Sequence, residues 1–128
     1  MALQGVFVVF VTESPDSGAL FMQRYFGFDA VVDLGWYVHV KHECGAEIGF
    51  MASGNESQPQ PYRVTFSGVG MILTLEVNDA DAELDRLATL GLEATLPIVT
   101  EEWGQRHFGV VGPGGIMIDV VQALSEET

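Results

Sequence analysis

Apolar and polar positions along the chain alternate in short runs, and two longer segments have helical spacing. The run Gly5–Val11 is continuously apolar and β-branched, which predicts a strand. The segment Ser14–Ser17 predicts a helix start, because Ser14 can cap the helix and Pro15 suits its first turn. We expect this helix to end at Gly27. Strands are then predicted at Ala30–Asp33, Trp36–Lys41 and Ala46–Ala52.

The same order of patterns returns in the second half of the chain. Met71–Val77 predicts a strand, Asn78–Asp81 a helix start, and Gly91 the end of that helix. Gly112–Gly115 joins two apolar runs and precedes no helical pattern, so it predicts a hairpin turn. Further strands are predicted at Glu93–Leu96, Arg106–Val111 and Ile116–Val121.

The repeated order indicates an internal duplication. Tyr25–Ala30 and Thr89–Ala94 match residue for residue in kind. Between the halves, residues 53–69 are rich in Gly, Pro and polar side chains and are interpreted as a loop or linker. We therefore predict an α+β fold built from two βαβββ modules, at about 5–52 and 70–122, within one domain of 128 residues.

Composition narrows the function classes. The chain carries a net charge of -13 with Lys41 as its single lysine, which argues against binding nucleic acid or anionic membranes. The longest apolar run, Val6–Val11, is far shorter than the ~20 residues that a spanning helix needs. One cysteine, Cys44, and an N-terminus without a basic signal region fit a soluble cytoplasmic protein.

The acidity itself has two interpretations. One is a solvated anionic surface, which keeps a protein soluble and is also typical of salt-adapted proteins. The other is an electrostatic field that attracts a cationic small molecule. Acidic residues are spread along the chain, so no segment resembles an acidic interaction tail.

Five short motifs occur in a characteristic order and spacing. They are Arg24–Phe28, Ala46–Met51, Leu75–Asp79, Trp103–Phe108 and Gly112–Gly115, the last shortly before Asp119. In this the chain resembles the vicinal oxygen chelate superfamily, which includes glyoxalase I, bleomycin-resistance proteins and extradiol dioxygenases. The resemblance implies that each half forms an open, cup-like mixed sheet with its helix on the outer face. It also implies a homodimer that completes the sites.

The resemblance raises the question of a metal site. Metal-dependent members carry four ligands, one from the first and one from the last strand of each half. Glu47 and Asp119 match the last-strand positions, but Phe7 and Ile72 occupy the first-strand positions and cannot bind a metal. We therefore expect no metal and no cofactor. A rebuilt site that combines His39 or His107 with the two carboxylates stays open.

Strand alternation selects candidate binding residues in the first half. If Val38 and Val40 face the helix, then Tyr37, His39 and Lys41 face the cup. The same argument turns Glu47, Gly49 and Met51 toward the cup. The alternative is an ordinary polar wall with a Lys41–Glu47 pair, and a slip of one residue would exchange the faces.

The segment Glu101–Phe108 concentrates the most functional residue types, and we interpret it as an exposed loop. In one hypothesis Trp103 stacks on a planar ligand while Arg106 or His107 orients it. In the other, Trp103 closes the core and Arg106 pairs with Glu101, Glu102 or Asp119. Metal-free drug-binding relatives of the superfamily carry a similar Trp-Gly-Gln-Arg segment, which supports the first hypothesis.

Two functions follow. The favoured one is a metal-free binding protein that sequesters a small aromatic or cationic compound such as an antibiotic, with Val9 and Met117 adding apolar contacts. The alternative is a lyase, isomerase or dioxygenase-type enzyme with a rebuilt metal centre or a His39 or Glu47 base. No catalytic residue is assigned. The predicted ligand-binding residues are Tyr37, His39, Glu47, Met51, Ile72, Trp103, Arg106, His107 and Asp119.

Overall fold

The computed structural model describes residues 2–124, which form eight strands and two α-helices. The chain divides between Ser67 and Gly68 into two compact units. Each unit repeats the order strand, helix and three strands, which confirms the predicted α+β fold and its duplication. The first unit contains β1 (Val8–Thr12), α1 (Pro15–Phe26), β2 (Asp29–Asp33), β3 (Tyr37–Lys41) and β4 (Glu47–Ala52). The second contains β5 (Ile72–Glu76), α2 (Ala80–Thr89), β6 (Leu96–Glu101), β7 (Gln105–Gly112) and β8 (Ile116–Ala123).

Both sheets have the same topology. The strand order is β1-β4-β3-β2 in the first unit and β5-β8-β7-β6 in the second. In each sheet the first strand pairs in parallel with the last, and the remaining neighbours are antiparallel. The first strand of each unit is therefore an edge strand beside the last strand, and this parallel pairing is possible because a long connection that includes the helix separates the two strands in sequence.

Helix α1 covers one face of the first sheet. Its cap is the predicted one, because the Ser14 hydroxyl accepts a hydrogen bond from the Ser17 amide at 3.3 Å. The helix ends at Gly27, whose φ of 73° is the left-handed conformation expected there. Gly18 lets the helix approach closely, since a Cβ there would lie 2.5 Å from the Phe50 ring. The core on this face consists of Phe10, Val38, Val40, Ile48 and Phe50.

Helix α2 performs the same role in the second unit. Asp79 caps it by accepting a hydrogen bond from the Ala82 amide at 3.1 Å. Ala80 and Leu87 of this helix are fully buried. The sheet residues of this core are Phe108, Val110, Ile118 and Val120.

The prediction of a strand at Glu93–Leu96 was wrong. The strand β6 runs from Leu96 to Glu101. The segment predicted as an exposed loop contains the end of β6, the turn at residues 102–104 and the start of β7. Pro97, which lacks an amide hydrogen, lies where the register between these strands shifts. An edge strand tolerates a proline at such an irregularity, and its pairing cannot be deduced from the local pattern.

Residues 53–67 contain no strand, as predicted, but they pack on the first sheet. The Ser53 amide donates to the Thr12 carbonyl at 2.8 Å, and the Phe66 amide donates to the Val11 carbonyl at 2.9 Å. The Phe66 ring meets Phe10 edge-on, with ring centroids 5.4 Å apart. The segment is therefore part of the first unit. Among residues 2–124, no helix is long and apolar enough to cross a membrane.

Candidate ligand site in the first unit

Three rows of residues cross the face of the first sheet that lies opposite α1. Val11, Met51 and Tyr37 form one row, because they are partners across β1, β4 and β3. Gly49 lies opposite His39 in the next row. The predicted alternation is thereby confirmed: the residues predicted to face the cup share one face, and the core residues share the other. The third row pairs Glu47 with Lys41.

A cavity of about 540 Å³ opens on this face. Its walls are apolar and aromatic side chains from the sheet, completed by residues of the 53–67 segment. Tyr37 and Met51 are the two predicted ligand-binding residues that line it, and Val9 was predicted as an apolar contact. The lining residues are Val9, Val11, Trp36, Tyr37, Met51, Gln58, Pro61 and Tyr62.

Sequence reasoning missed five of these lining residues. Val11 and Trp36 were recognised only as strand residues, and Gln58, Pro61 and Tyr62 fell in the segment interpreted as a linker. The available signal was Tyr62, an aromatic residue within a stretch otherwise rich in polar residues and proline. Aromatic side chains bury large apolar areas in cores and interfaces, so a tyrosine in a polar segment is a candidate contact.

Tyr37, His39 and Glu47 form a hydrogen-bonded row beside the cavity. The Tyr37 hydroxyl lies 2.6 Å from Nδ1 of His39, and Nε2 of His39 lies 2.7 Å from Oε1 of Glu47. The His39 residue is only 8% exposed, and the Phe7 ring meets it edge-on at 4.6 Å. Glu47 therefore pairs with His39, although Lys41 lies opposite it in the register.

The environment of Tyr37 keeps its phenol protonated. Burial raises the pKa of Tyr37 above its usual value, and the nearby charge of Glu47 raises this pKa further. Gly49 leaves the space that the phenol occupies, because a Cβ at this position would lie 2.8 Å from Cζ of Tyr37. Tyr37 is therefore a hydrogen-bonding group here and not a base.

A second histidine cluster lies in the second unit. Nε2 of His107 is 2.7 Å from Oε2 of Glu101, and its Nδ1 is 2.9 Å from Oδ1 of Asp119. The hydrogen bond to Glu101, followed by that to Asp119, raises the pKa of His107 above its ordinary value. The arrangement stabilises an imidazolium held between two carboxylates.

Arg106, Trp103 and Ile72 do not line the cavity. Arg106 forms a two-point ion pair with Asp81 of α2, at 2.8 and 2.9 Å, so its predicted pairing with Glu101, Glu102 or Asp119 was wrong. Sequence could not reveal this partner, because α2 and β7 meet only in the folded unit. Trp103 is 68% exposed and does not close the core; its indole N–H donates to the Gln105 side chain at 2.9 Å. Ile72 is 62% exposed on the edge strand β5.

Comparison with known proteins places this fold in a family. Residues 6–120 match the model of the Glyoxalase/Bleomycin resistance protein/Dioxygenase superfamily, and the chain therefore belongs to it. No relative was found among curated proteins.

Solved structures share the fold at low sequence identity. A glyoxalase/bleomycin resistance protein/dioxygenase from Nocardioides is 14% identical with a TM-score of 0.77, covering 100% of this chain and 89% of its own. The virulence protein STM3117 from Salmonella typhimurium is 15% identical with a TM-score of 0.74, covering 97% and 100%. TioX from Micromonospora sp. ML1 is 20% identical with a TM-score of 0.69, covering 94% and 99%. Such identities establish a common fold and no common activity.

The strand registers correct one position of the metal-site comparison. Val9 in β1 and Thr74 in β5 are equivalent positions, because each lies five residues before the N-cap of the following helix, Ser14 or Asp79. Val9 lies opposite Gly49, and Thr74 lies opposite Asp119. The counterpart of Asp119 in the first unit is therefore Gly49, and not Glu47 as the sequence comparison suggested.

This correction leaves a single possible ligand among the four positions. Phe7, Ile72 and Gly49 offer no donor atom in their side chains, and Asp119 is engaged by His107. Within the described part of the chain, no group of three or more His, Cys, Asp and Glu side chains could hold a metal ion. The residues present do not fit the metal that the superfamily implies.

Proposed function

We propose that this protein binds a small aromatic molecule, without a metal, in the cavity of its first unit. The observation that carries the proposal is the cavity of about 540 Å³ with its apolar and aromatic walls. This volume falls in the range of about 300–1,000 Å³ that is typical of small-molecule sites.

The lining explains how a planar ligand would gain affinity. Trp36, Tyr37 and Tyr62 supply three aromatic rings, and Met51 supplies an adaptable thioether. Trp36 and Tyr62 are exposed in the free protein, so a ligand that covers them removes apolar surface from water. Gln58 adds an uncharged polar group that can orient the ligand.

The proposed role is sequestration of such a compound, for example an antibiotic, by a cytoplasmic homodimer. No charged side chain is among the lining residues that the structure describes. The aromatic body of the ligand therefore supplies the affinity, while the net charge of -13 favours ligands that also carry a cationic group. The other ligand-binding residues predicted from the sequence, among them Glu47, Trp103, His107 and Asp119, remain predictions.

A metal-free enzyme is the second candidate, because the Tyr37–His39–Glu47 row reaches the cavity through Tyr37. The geometry gives it less support. Both ring nitrogens of His39 are bonded to protein groups, so no free lone pair is available to a substrate. A general base must approach the proton that it removes, and among these three residues only Tyr37 lines the cavity.

Binding can be tested with acridine, a neutral planar molecule at pH above about 7, and its cationic relative proflavine. We expect saturable 1:1 binding by calorimetry and a matching rise in Tm. Trp36→Ala should weaken acridine binding about tenfold, because stacking on an aromatic side chain contributes roughly 1–3 kcal/mol. Leu20→Ala, on the exposed surface of α1, is the control and should bind as wild type does.

Four outcomes would contradict the proposal or part of it. In the first, neither compound binds. In the second, Trp36→Ala binds both compounds with the same affinity as wild type. If Trp103→Ala abolishes binding while Trp36→Ala does not, then the ligand depends on Trp103, as one sequence hypothesis predicts, and not on the cavity of the first unit. Near-stoichiometric metal that survives desalting in elemental analysis would overturn the metal-free part.

A further inference from the structure

We propose that the hydroxyl oxygen of Tyr37 presents only hydrogen-bond acceptor capacity to the cavity, so the site selects aromatic molecules that carry an N–H or O–H donor. This inference rests on the proposed function, since it concerns a ligand in the same cavity. It follows from the direction of the two hydrogen bonds in the Tyr37–His39–Glu47 row.

The direction is set at Glu47. An ionised carboxylate has no hydrogen to donate and acts only as an acceptor. Its Oε1 lies 2.7 Å from Nε2 of His39, so the hydrogen in this contact belongs to the imidazole. Glu47 thereby selects the histidine tautomer with hydrogen on Nε2.

The tautomer then determines the role of Tyr37. A neutral imidazole carries one N–H, so Nδ1 of His39 holds a lone pair and must accept. The Tyr37 hydroxyl lies 2.6 Å from this nitrogen and is the donor in the contact. The single proton of the phenol is therefore directed at His39 and away from the cavity.

The phenol oxygen still has acceptor capacity. Tyr37 lines the cavity, and burial keeps the phenol protonated by raising its pKa. A ligand donor that reaches this oxygen gains a hydrogen bond, and its bond to His39 strengthens the oxygen as an acceptor. A ligand acceptor at the same place would face lone pairs and lose its hydrogen bonds to water.

The tautomer can be measured without any ligand. We would record ¹⁵N spectra of the His39 ring at about pH 8, where an ordinary imidazole is neutral. His39→Gln identifies its signals among those of the three histidines. Hydrogen on Nε2 alone is the expected result. Hydrogen on Nδ1, or on both nitrogens, would overturn the inference even if the cavity binds ligands well.

Selectivity can be measured with indole, benzofuran and indene, which share a bicyclic shape and carry a donor, an acceptor and neither. We expect indole to bind about five- to tenfold more tightly than benzofuran, the size of effect that one hydrogen bond gives. The preference should collapse in Tyr37→Phe. Tyr62→Phe removes the other phenol of the cavity and shows which hydroxyl is responsible.

The outcomes separate this inference from the proposed function. If none of the three probes binds, the proposed cavity function fails. If all bind with equal affinity, or benzofuran binds best, the cavity function stands and the inferred polarity is wrong. A preference for indole that Tyr62→Phe abolishes and Tyr37→Phe retains would also overturn the role of Tyr37.

Discussion

Gly49 has no side chain, and the space that this leaves holds the Tyr37 phenol, a polar group of the candidate site. Its Cα lies opposite His39 on β3 and Val9 on β1, in the middle of the sheet. The space above it is filled by the phenol of Tyr37, which bonds to His39. The backbone conformation of Gly49 is not left-handed, so the reason for glycine at this position is room and not φ.

We predict that Gly49→Ala displaces Tyr37 and destabilises the protein. The added Cβ would lie 2.8 Å from Cζ of the phenol, which forces a side-chain shift in a packed site. Overpacking of this kind typically costs about 1–3 kcal/mol of the free energy of unfolding, measurable in urea. The preference for indole should vanish in the same variant. Gly5→Ala is the control, because a Cβ there meets no atom within 4 Å.

His107 makes the stability of the protein depend on pH. Its folded-state pKa is raised above the ordinary value of 6.5 by Glu101 first and Asp119 second. A raised pKa means that the charged ring adds stability that is complete below pH 6.5 and is lost as the pH rises through the folded-state pKa.

The measurement is the free energy of unfolding from about pH 5.5 to 8.5, for wild type and His107→Gln. The difference between the two proteins should be greatest at the acidic end and should shrink toward the alkaline end. Glu101→Gln should move the loss to lower pH, since it removes the largest cause of the shift. A difference that grows with pH would contradict the assignment of charge to this cluster.

At the scale of single residues, sequence predicted contacts within a sheet better than contacts between elements. Alternation along the strands correctly placed Tyr37, His39 and Glu47 on one face of the sheet, because successive side chains of a strand point to opposite faces. The partner of Arg106 was missed, because Asp81 lies 25 positions away on a helix whose contact with β7 no local pattern encodes.

Among the elements, the segment 53–67 is the one whose role in the structure differs most from the role predicted from the sequence. Its polar, proline-containing composition predicts a loop, and its backbone does contain no strand. It nevertheless forms one wall of the cavity through Gln58, Pro61 and Tyr62. Composition describes the local conformation of a loop but not the surface on which it packs.

Arg63 should be essential for the shape of this wall. Its Nε donates to the carbonyl of Gln58 at 2.8 Å, and its Nη2 donates to the carbonyl of Glu56 at 3.3 Å. We predict that Arg63→Met leaves the segment less ordered and weakens acridine binding severalfold. The ligand must then order this wall when it binds, which costs part of the binding free energy.

The two effects can be separated by calorimetry and thermal unfolding. Arg63→Met should lower Tm by no more than several degrees, since the segment keeps its backbone hydrogen bonds to Thr12 and Val11. Arg86→Met, on the exposed surface of α2, is the matched control. Unchanged acridine affinity in Arg63→Met would show that the wall does not depend on this anchor.

At the scale of the whole molecule, the salt dependence of binding distinguishes the two interpretations of the net charge of -13. If the field attracts cations, proflavine affinity should fall as salt rises from about 0.02 to 0.5 M, because the Debye length shortens from tens of ångströms to a few. Acridine at about pH 8 is the neutral control and should change little. Equal salt responses of the two compounds would leave solvation as the purpose of the acidic surface.

The duplicated units have diverged in chemistry while keeping one topology. Gly49 in the first sheet corresponds to Asp119 in the second, where the carboxylate holds a histidine. The first unit carries a cavity with uncharged walls, and the second carries an ion-paired cluster. A shared strand order therefore does not imply a shared site.

The sequence by itself determined the duplication, the helix caps and the alternation of faces. These depend on neighbours within a few residues, such as Ser14 beside Ser17, or on a repeat that is visible along the chain. Tertiary structure alone decided the register of β6, the partner of Arg106 and the wall formed by Tyr62. Each of these joins residues distant in sequence, and such contacts are selected by the packing free energy of the complete fold, which no local pattern contains.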